Sequence, residues 1–219
     1  MIPVSVIVTT YQEERNLPRC LRALKNFDEI IVVDSNSMDR TPSIAREYSD
    51  HVINFTWDGA YPKKRQWCLE NIKTNHDFIF FVDADEELPD NLADEIEALD
   101  FKSAGYFVKG QYIWNGKSLM HGLVNNKLVL FDKHKIEFPV TDDLDIEGMG
   151  EIEGHYQPVL KGAYQAENLG QLNTALQHFA YEDQAGWIKR HQRYANWEAA
   201  MIKRGAYPKD PVKWREVLK

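Results

Sequence analysis

Phe78-Ile79-Phe80-Phe81-Val82-Asp83-Ala84-Asp85-Glu86 is the stretch on which the reading of this chain turns. Five apolar residues run directly into acids. A short continuous apolar run suits a strand buried on both faces of a parallel sheet. In open α/β sheets, ligands bind beyond the carboxyl ends of the strands, and the acids fall at such an end. Asp83 and Asp85 are two apart, so extended backbone turns both to one side. Two carboxylates on one side make a hard oxygen site for magnesium or manganese, and such an ion can hold a diphosphate. The plainer alternative makes Asp83 to Glu87 the solvated cap of a helix beginning near Pro89. A D-x-D alone does not separate the two; the rest of the chain does.

Before this stretch, Val4 to Thr10 is β-branched and reads as a first buried strand. Leu17, Cys20, Leu21 and Leu24 recur at helical spacing after a polar turn. Glu29 to Asp34 is a second strand ending in an acid, and Thr41-Pro42 supplies an N-cap and a first-turn proline. His51 to Asn54 is a short strand, and Gly59 to Asn71 reads as loop plus helix. Strands alternating with helices mean βαβ units and a parallel sheet. The second half changes character. Tyr106 to Val108, Gln111 to Trp114 and Lys127 to Phe131 are strand-like, and Asn115-Gly116 signals a hairpin. From about Leu172 the pattern is helical, with Trp187, Tyr194, Trp197 and Met201 along one stripe of a final helix, Trp187 to Arg204.

The chain has 219 residues, 43% of them hydrophobic, and a net charge of -8. One α/β domain over 1–170, with a helical extension over 171–219 as part of the same unit, is the expected organisation. The negative charge argues against nucleic acid as a partner. No segment reaches the roughly 18 apolar residues of a membrane span. The N-terminus has no basic region before its apolar run, so no signal peptide is expected. Cys20 and Cys68 make no metal spacing and suggest a reducing, cytoplasmic setting.

Four motifs then stand in order. Val4-Ser5-Val6-Ile7-Val8-Thr9-Thr10-Tyr11-Gln12-Glu13-Glu14-Arg15-Asn16-Leu17 resembles the opening of glycosyltransferase family 2 enzymes. Ile31 to Thr41 resembles their second-strand motif, Arg65-Gln66 falls where they often carry an arginine–asparagine pair, and Phe81 to Glu86 resembles their metal motif. Leu176 to Asp183, with the aromatic and basic helix after it, resembles the bacterial branch that decorates lipopolysaccharide cores. Thr9 stands where many members have proline, and Gln12 where they have asparagine.

The resemblance implies a GT-A fold, a Rossmann-like and mostly parallel α/β sheet flanked by helices. It also implies a nucleotide-diphosphate sugar donor (a UDP-sugar), a divalent metal, and an inverting transfer to a glycan or glycolipid acceptor. By the same matching, Thr9, Tyr11, Glu13 and Asp34 line the nucleoside pocket, and Arg65 lies near the donor phosphates. Asp83 and Asp85 hold metal and diphosphate, and His178 is a candidate third ligand. A histidine among aromatics is otherwise a packed one.

An inverting transfer needs a base near the acceptor hydroxyl. The acidic stretch offers Asp142, Asp143, Glu151 and Glu153, and spacing does not choose among them. The resemblance favours Glu153, in Glu153-Gly154-His155. Otherwise these acids simply solvate a loop. Residues 187–219 carry nine Lys or Arg against Glu198, Asp210 and Glu216. That segment suits either peripheral contact with the inner membrane surface or packing on the sheet with a wet basic face. Outside this class, a nucleotidyltransferase would open with a Gly-rich basic loop, whereas Thr9 to Asn16 has no glycine. A non-catalytic scaffold would not need both Asp83 and Asp85.

Overall fold

The computed structural model describes residues 1–121, 125–150, 156–181 and 183–206. Its first half is built from β1 (Ile2–Thr10), β2 (Phe27–Asp34), β3 (His51–Asn54) and β4 (Phe78–Asp83). These lie parallel in the order β3-β2-β1-β4. Val6, Ile7, Val8, Val32, Val33, Phe80 and Phe81 are all buried. Consecutive buried residues mean that both faces of the sheet are covered, which is why these strands read as unbroken apolar runs. Helices α1 (Leu17–Ala23), α2 (Thr41–Tyr48) and α3 (Lys64–Asn71) make the crossovers.

The second half extends the same sheet. It holds β5 (Glu86–Glu87), α4 (Asp90–Glu97), β6 (Gly105–Trp114), β7 (Lys117–Ser118) and β8 (Asn125–Asp132). After these come β9 (Ile136–Glu137), β10 (Val159–Leu160), β11 (Leu169–His178) and α5 (Gln184–Arg204). The full order is β3-β2-β1-β4-β8-β6-β11-β5. β8 is antiparallel to β4 and β6, and β11 runs parallel to β6. The β6–β7 hairpin turns at Asn115 (φ 48°) and Gly116 (φ 72°), the two left-handed positions of a type I′ turn.

Three expectations are corrected. Residues from Leu172 begin in a strand, not a helix, and a boundary at 170/171 would cut through β11. The β11–β6 register slips between Gln171 and Ala175. Leu172 and Leu176, four apart, are both buried, as alternate positions along one face of a strand allow, and the same spacing fits a helical period. Second, Asp83 and Asp85 do not share an extended strand, because β4 stops at Asp83 and Ala84-Asp85 is a turn. Third, the aromatic stripe of α5 is divided. Trp197 and Met201 are fully buried and Tyr194 packs against the core, whereas Trp187 is 41% exposed. The C-terminal half of that stripe is therefore core and not a membrane face.

Candidate functional site

The site lies where β1, β2 and β4 end. The loops after β1 and β2 are joined by backbone donors of one and side chains of the other. Gln12 N donates to Ser37 Oγ at 2.8 Å, Glu13 N to Thr41 Oγ1 at 2.8 Å and Glu14 N to Asp39 Oδ2 at 3.3 Å. Thr41, expected to cap its own helix, instead ties down the opposite loop, and Asp39 accepts from Thr41 N at 2.9 Å. Gln12 (φ 54°) and Asn36 (φ 59°) take left-handed backbone in these turns. Between the loops is a cavity of about 400 Å³ lined by Gln12 to Asn16, Met38 and Asp39, a volume in the small-ligand range.

The expected nucleoside residues surround this region in different ways. Asp34 is fully buried, and its carboxylate accepts from Ser37 N at 2.8 Å and Ser37 Oγ at 2.5 Å. It holds the turn at the end of β2. Tyr11 is exposed. Thr9 Oγ1 donates to Asp83 Oδ1 at 3.1 Å. Burial pushes the Glu13 carboxyl up to about 7; Asn16 opposes this through a hydrogen bond, and the charges of Asp85 and Asp83 add to it.

Asp83 and Asp85 sit in a nest of cations. Arg65 Nη2 lies 2.6 Å from Asp83 Oδ1 and Lys127 Nζ 3.3 Å from Asp83 Oδ2. Lys127 also bonds Glu86, which is fully buried and accepts from Asp83 N at 3.0 Å. Burial resists ionisation of Asp83, but Arg65 and Lys127 outweigh it and hold its carboxyl well below the usual range. On Asp85, burial is likewise overcome, here by His178, whose Nε2 is 3.3 Å away, while Arg190 Nη1 stands 3.5 Å from the other oxygen.

His178 reaches Asp85 because β5 pairs antiparallel with β11, setting Glu86 opposite His178. Phe179 N donates to the Asp85 carbonyl at 2.8 Å and closes that edge. Burial opposes charge on the imidazole, and Asp85 and Glu86 reverse the balance, so the His178 pKa is raised. Its Nδ1 is buried without a hydrogen-bond partner. Among the described residues no group of three or more potential ligands is gathered as a metal cluster. His178 stands beside Asp85 as its ion-pair partner.

The acidic stretch is not one solvated loop. Asp143 is fully buried. Lys63 Nζ lies 2.7 and 2.8 Å from its two oxygens. Trp197 Nε1 donates at 2.8 Å, Thr141 Oγ1 at 2.8 Å and Tyr61 Oη at 3.0 Å. With both oxygens engaged by buried donors, Asp143 is a structural ion pair, not an accessible base. Asp145 pairs with Arg204 at 2.7 Å, and Arg204 also donates to the Asp142 carbonyl at 2.6 Å. The Asp142 side chain is exposed. Glu151 and Glu153 lie outside the described residues.

Sequence reasoning missed Glu86, Lys127 and Arg190. Lys127 had a signal, a lone cation at the head of the apolar run Leu128 to Phe131. Arg190 had none, since it is one of several basic residues on α5 and only tertiary packing turns it onto Asp85.

A parallel half-sheet with acids and cations at its carboxyl ends, extended by a mixed half, is the architecture of GT-A transferases. The glycosyl transferase family 2 model matches residues 5–144, and the chain belongs to that family. It is 28% identical over 221 residues to an uncharacterized glycosyltransferase of Rickettsia typhi, covering 91% of this chain and 73% of that protein. Over 91 residues it is 32% identical to the lipopolysaccharide core biosynthesis glycosyltransferase LpsC of Rhizobium meliloti, covering 40% of this chain and 33% of that one. The structure of S. aureus TarS 1-349 in complex with UDP-GlcNAc superposes with a TM-score of 0.54 at 20% identity, over 84% of this chain. The match takes in 60% of that solved chain.

Proposed function

We propose that this protein transfers a sugar, with inversion, from a UDP-sugar to a glycan or glycolipid acceptor of the bacterial surface. The observation that carries the reading is the convergence of Asp83 and Asp85 with Arg65, Lys127 and Arg190 at the carboxyl end of β4. TarS with bound UDP-GlcNAc and the partial likeness to LpsC support the donor and acceptor classes. Both cysteines are free and buried, in keeping with a cytoplasmic setting.

The donor set suits magnesium or manganese: two ionised carboxylates, which is the number such an ion takes when phosphates and water complete its shell. Asp83 and Asp85 would hold it, with His178 orienting Asp85. Its chemistry there is to neutralise charge on the departing diphosphate. The chain's own residues do the rest. Thr9, Tyr11, Glu13 and Asp34 bound the nucleoside pocket, Asp34 through the turn it holds. Arg65, Lys127 and Arg190 face the diphosphate, whose charge grows as the glycosidic bond breaks. The acceptor oxygen forms the new bond to the anomeric carbon, UDP leaves with the electron pair, and a base takes the hydroxyl proton. Glu153 takes that role by the family resemblance, and Asp143, buried in its pair with Lys63, is not available for it.

Titration calorimetry of UDP with and without manganese tests the reading, followed by hydrolysis of a panel of nucleotide sugars. UDP should bind more tightly with the ion, and Asp85→Ala should abolish the difference. Equal affinity in both conditions would refute the clamp.

A further inference from the structure

Six aromatic rings stand together beside Asp85. His178 stacks on Tyr112 with centroids 5.0 Å apart at 24°, and Tyr112 on Tyr181 at 6.1 Å and 19°. Trp114 lies 6.1 Å and His191 5.6 Å from Tyr181, and Trp187 lies 4.1 Å from His191. Arg190 sits over the Tyr181 ring at 5.2 Å. These rings come from the end of β6, the end of β11 and the segment just after it, and the first turns of α5. Tyr112, Trp114, Tyr181 and Trp187 belong neither to the buried core nor to the residues packed against it. Large aromatics ordinarily dominate cores. Here they partner one another, and exposure rises outward from 9% at His178 to 41% at Trp187.

We infer that this row is a carbohydrate subsite that holds sugar residues of the acceptor. The inference rests on the transferase reading above. A pyranose has an apolar C–H face and a rim of hydroxyls. It is matched by rings that carry polar groups at their edges, the mostly apolar lining with few polar groups usual in ligand sites. The faces of Tyr112 and Tyr181 are taken up within the row, so the apolar face is supplied by half-buried Trp114 and exposed Trp187, and the polar groups by the hydroxyls of Tyr112 and Tyr181, the imidazole of His191 and the guanidinium of Arg190. Its direction also fits. An acceptor hydroxyl must arrive beside Asp83 and Asp85, and the inner end of the row is His178, 3.3 Å from Asp85. A bilayer surface would meet only the outer end, where Trp187 and Ile188 are exposed. An oligosaccharide can lie along the whole length.

Saturation-transfer NMR with methyl β-D-glucopyranoside and with lactose tests this on the full chain. Trp114→Ala and Trp187→Ala are compared with Ile202→Ala, an exposed position of α5 outside the row. UDP binding in the same samples reports the fold and the donor site. Saturation should reach the sugar ring protons, and each tryptophan variant should weaken the disaccharide about fivefold or more, with Ile202→Ala and UDP affinity unchanged. Absence of saturation transfer to either sugar, with UDP bound normally, overturns the subsite and leaves the donor reading standing. Sugar binding without UDP binding does the reverse. Sedimentation with anionic vesicles at low salt forms the last arm. Vesicle binding that Trp187→Ala removes, without any sugar signal, makes the row a membrane contact and overturns the proposal.

Discussion

Asp143→Ala should cost stability before it costs chemistry. The Asp143 and Lys63 side chains are 0% and 1% exposed. Removing the carboxylate takes the anion away from the buried Lys63 ammonium, which also donates to the Met149 carbonyl at 3.0 Å, and removes an acceptor of Trp197, Thr141 and Tyr61. Breaking a buried ion pair from one side costs about 3–5 kcal/mol. At roughly 2–4 °C per kcal/mol for a chain of this size, the melting temperature should fall by about 6–20 °C. Trp197→Phe, which removes one hydrogen bond to the charged group, should cost about 1.5–3 kcal/mol. Replacing the pair together, Lys63→Met with Asp143→Leu, should recover most of the loss, because no buried charge is left over. Urea unfolding with UDP calorimetry on the folded fraction measures both sides. A loss below about 1 kcal/mol for Asp143→Ala would refute the pair. So would Asp143→Asn with wild-type stability and abolished transfer, which would make this carboxylate the base after all.

Arg190→Gln should weaken UDP about tenfold, the worth of a charge-assisted hydrogen bond, while uridine affinity stays unchanged; equal losses for both would place Arg190 off the diphosphate. Glu13 is raised from 4.5 to about 7 by burial, so the folded state keeps a proton that the unfolded state releases. Its contribution to stability therefore falls as pH rises from 4.5 to about 7 and is flat above, and Glu13→Gln should remove that slope from a pH series of urea midpoints. Glu153→Gln should lower turnover about 10²–10⁴-fold, the usual contribution of a positioned base, with UDP affinity preserved; full turnover would move the base to Asp142 or Glu151.

Local chemistry made the first half readable. β1, β2 and β4 are apolar on both faces because helices cover both, so each shows as a run that no loop or amphipathic helix would carry. Asn115-Gly116 was equally plain, since few residue pairs accept left-handed backbone twice in succession. The reading failed at Leu172, because two leucines four apart share one face in a strand as well as in a helix, and at Thr41, whose hydroxyl served a neighbouring loop instead of its own helix.

What the sequence determined by itself is the parallel half-sheet, the place of Asp34, Asp83 and Arg65 near its carboxyl edge, and the family. All of these depend on short windows and on the order of motifs. What only the tertiary structure decided is which charges meet. Lys127 and Glu86 come together across β8 and β5, His178 and Arg190 arrive on Asp85 from β11 and α5, and Asp143 is withdrawn from the surface by Lys63 and Trp197. These partners are separated by about 40 to 105 residues. Nothing in a carboxylate's own neighbours along the chain tells whether it will face water, a buried ammonium or a ligand, because that is set by elements far away in sequence that fold against it.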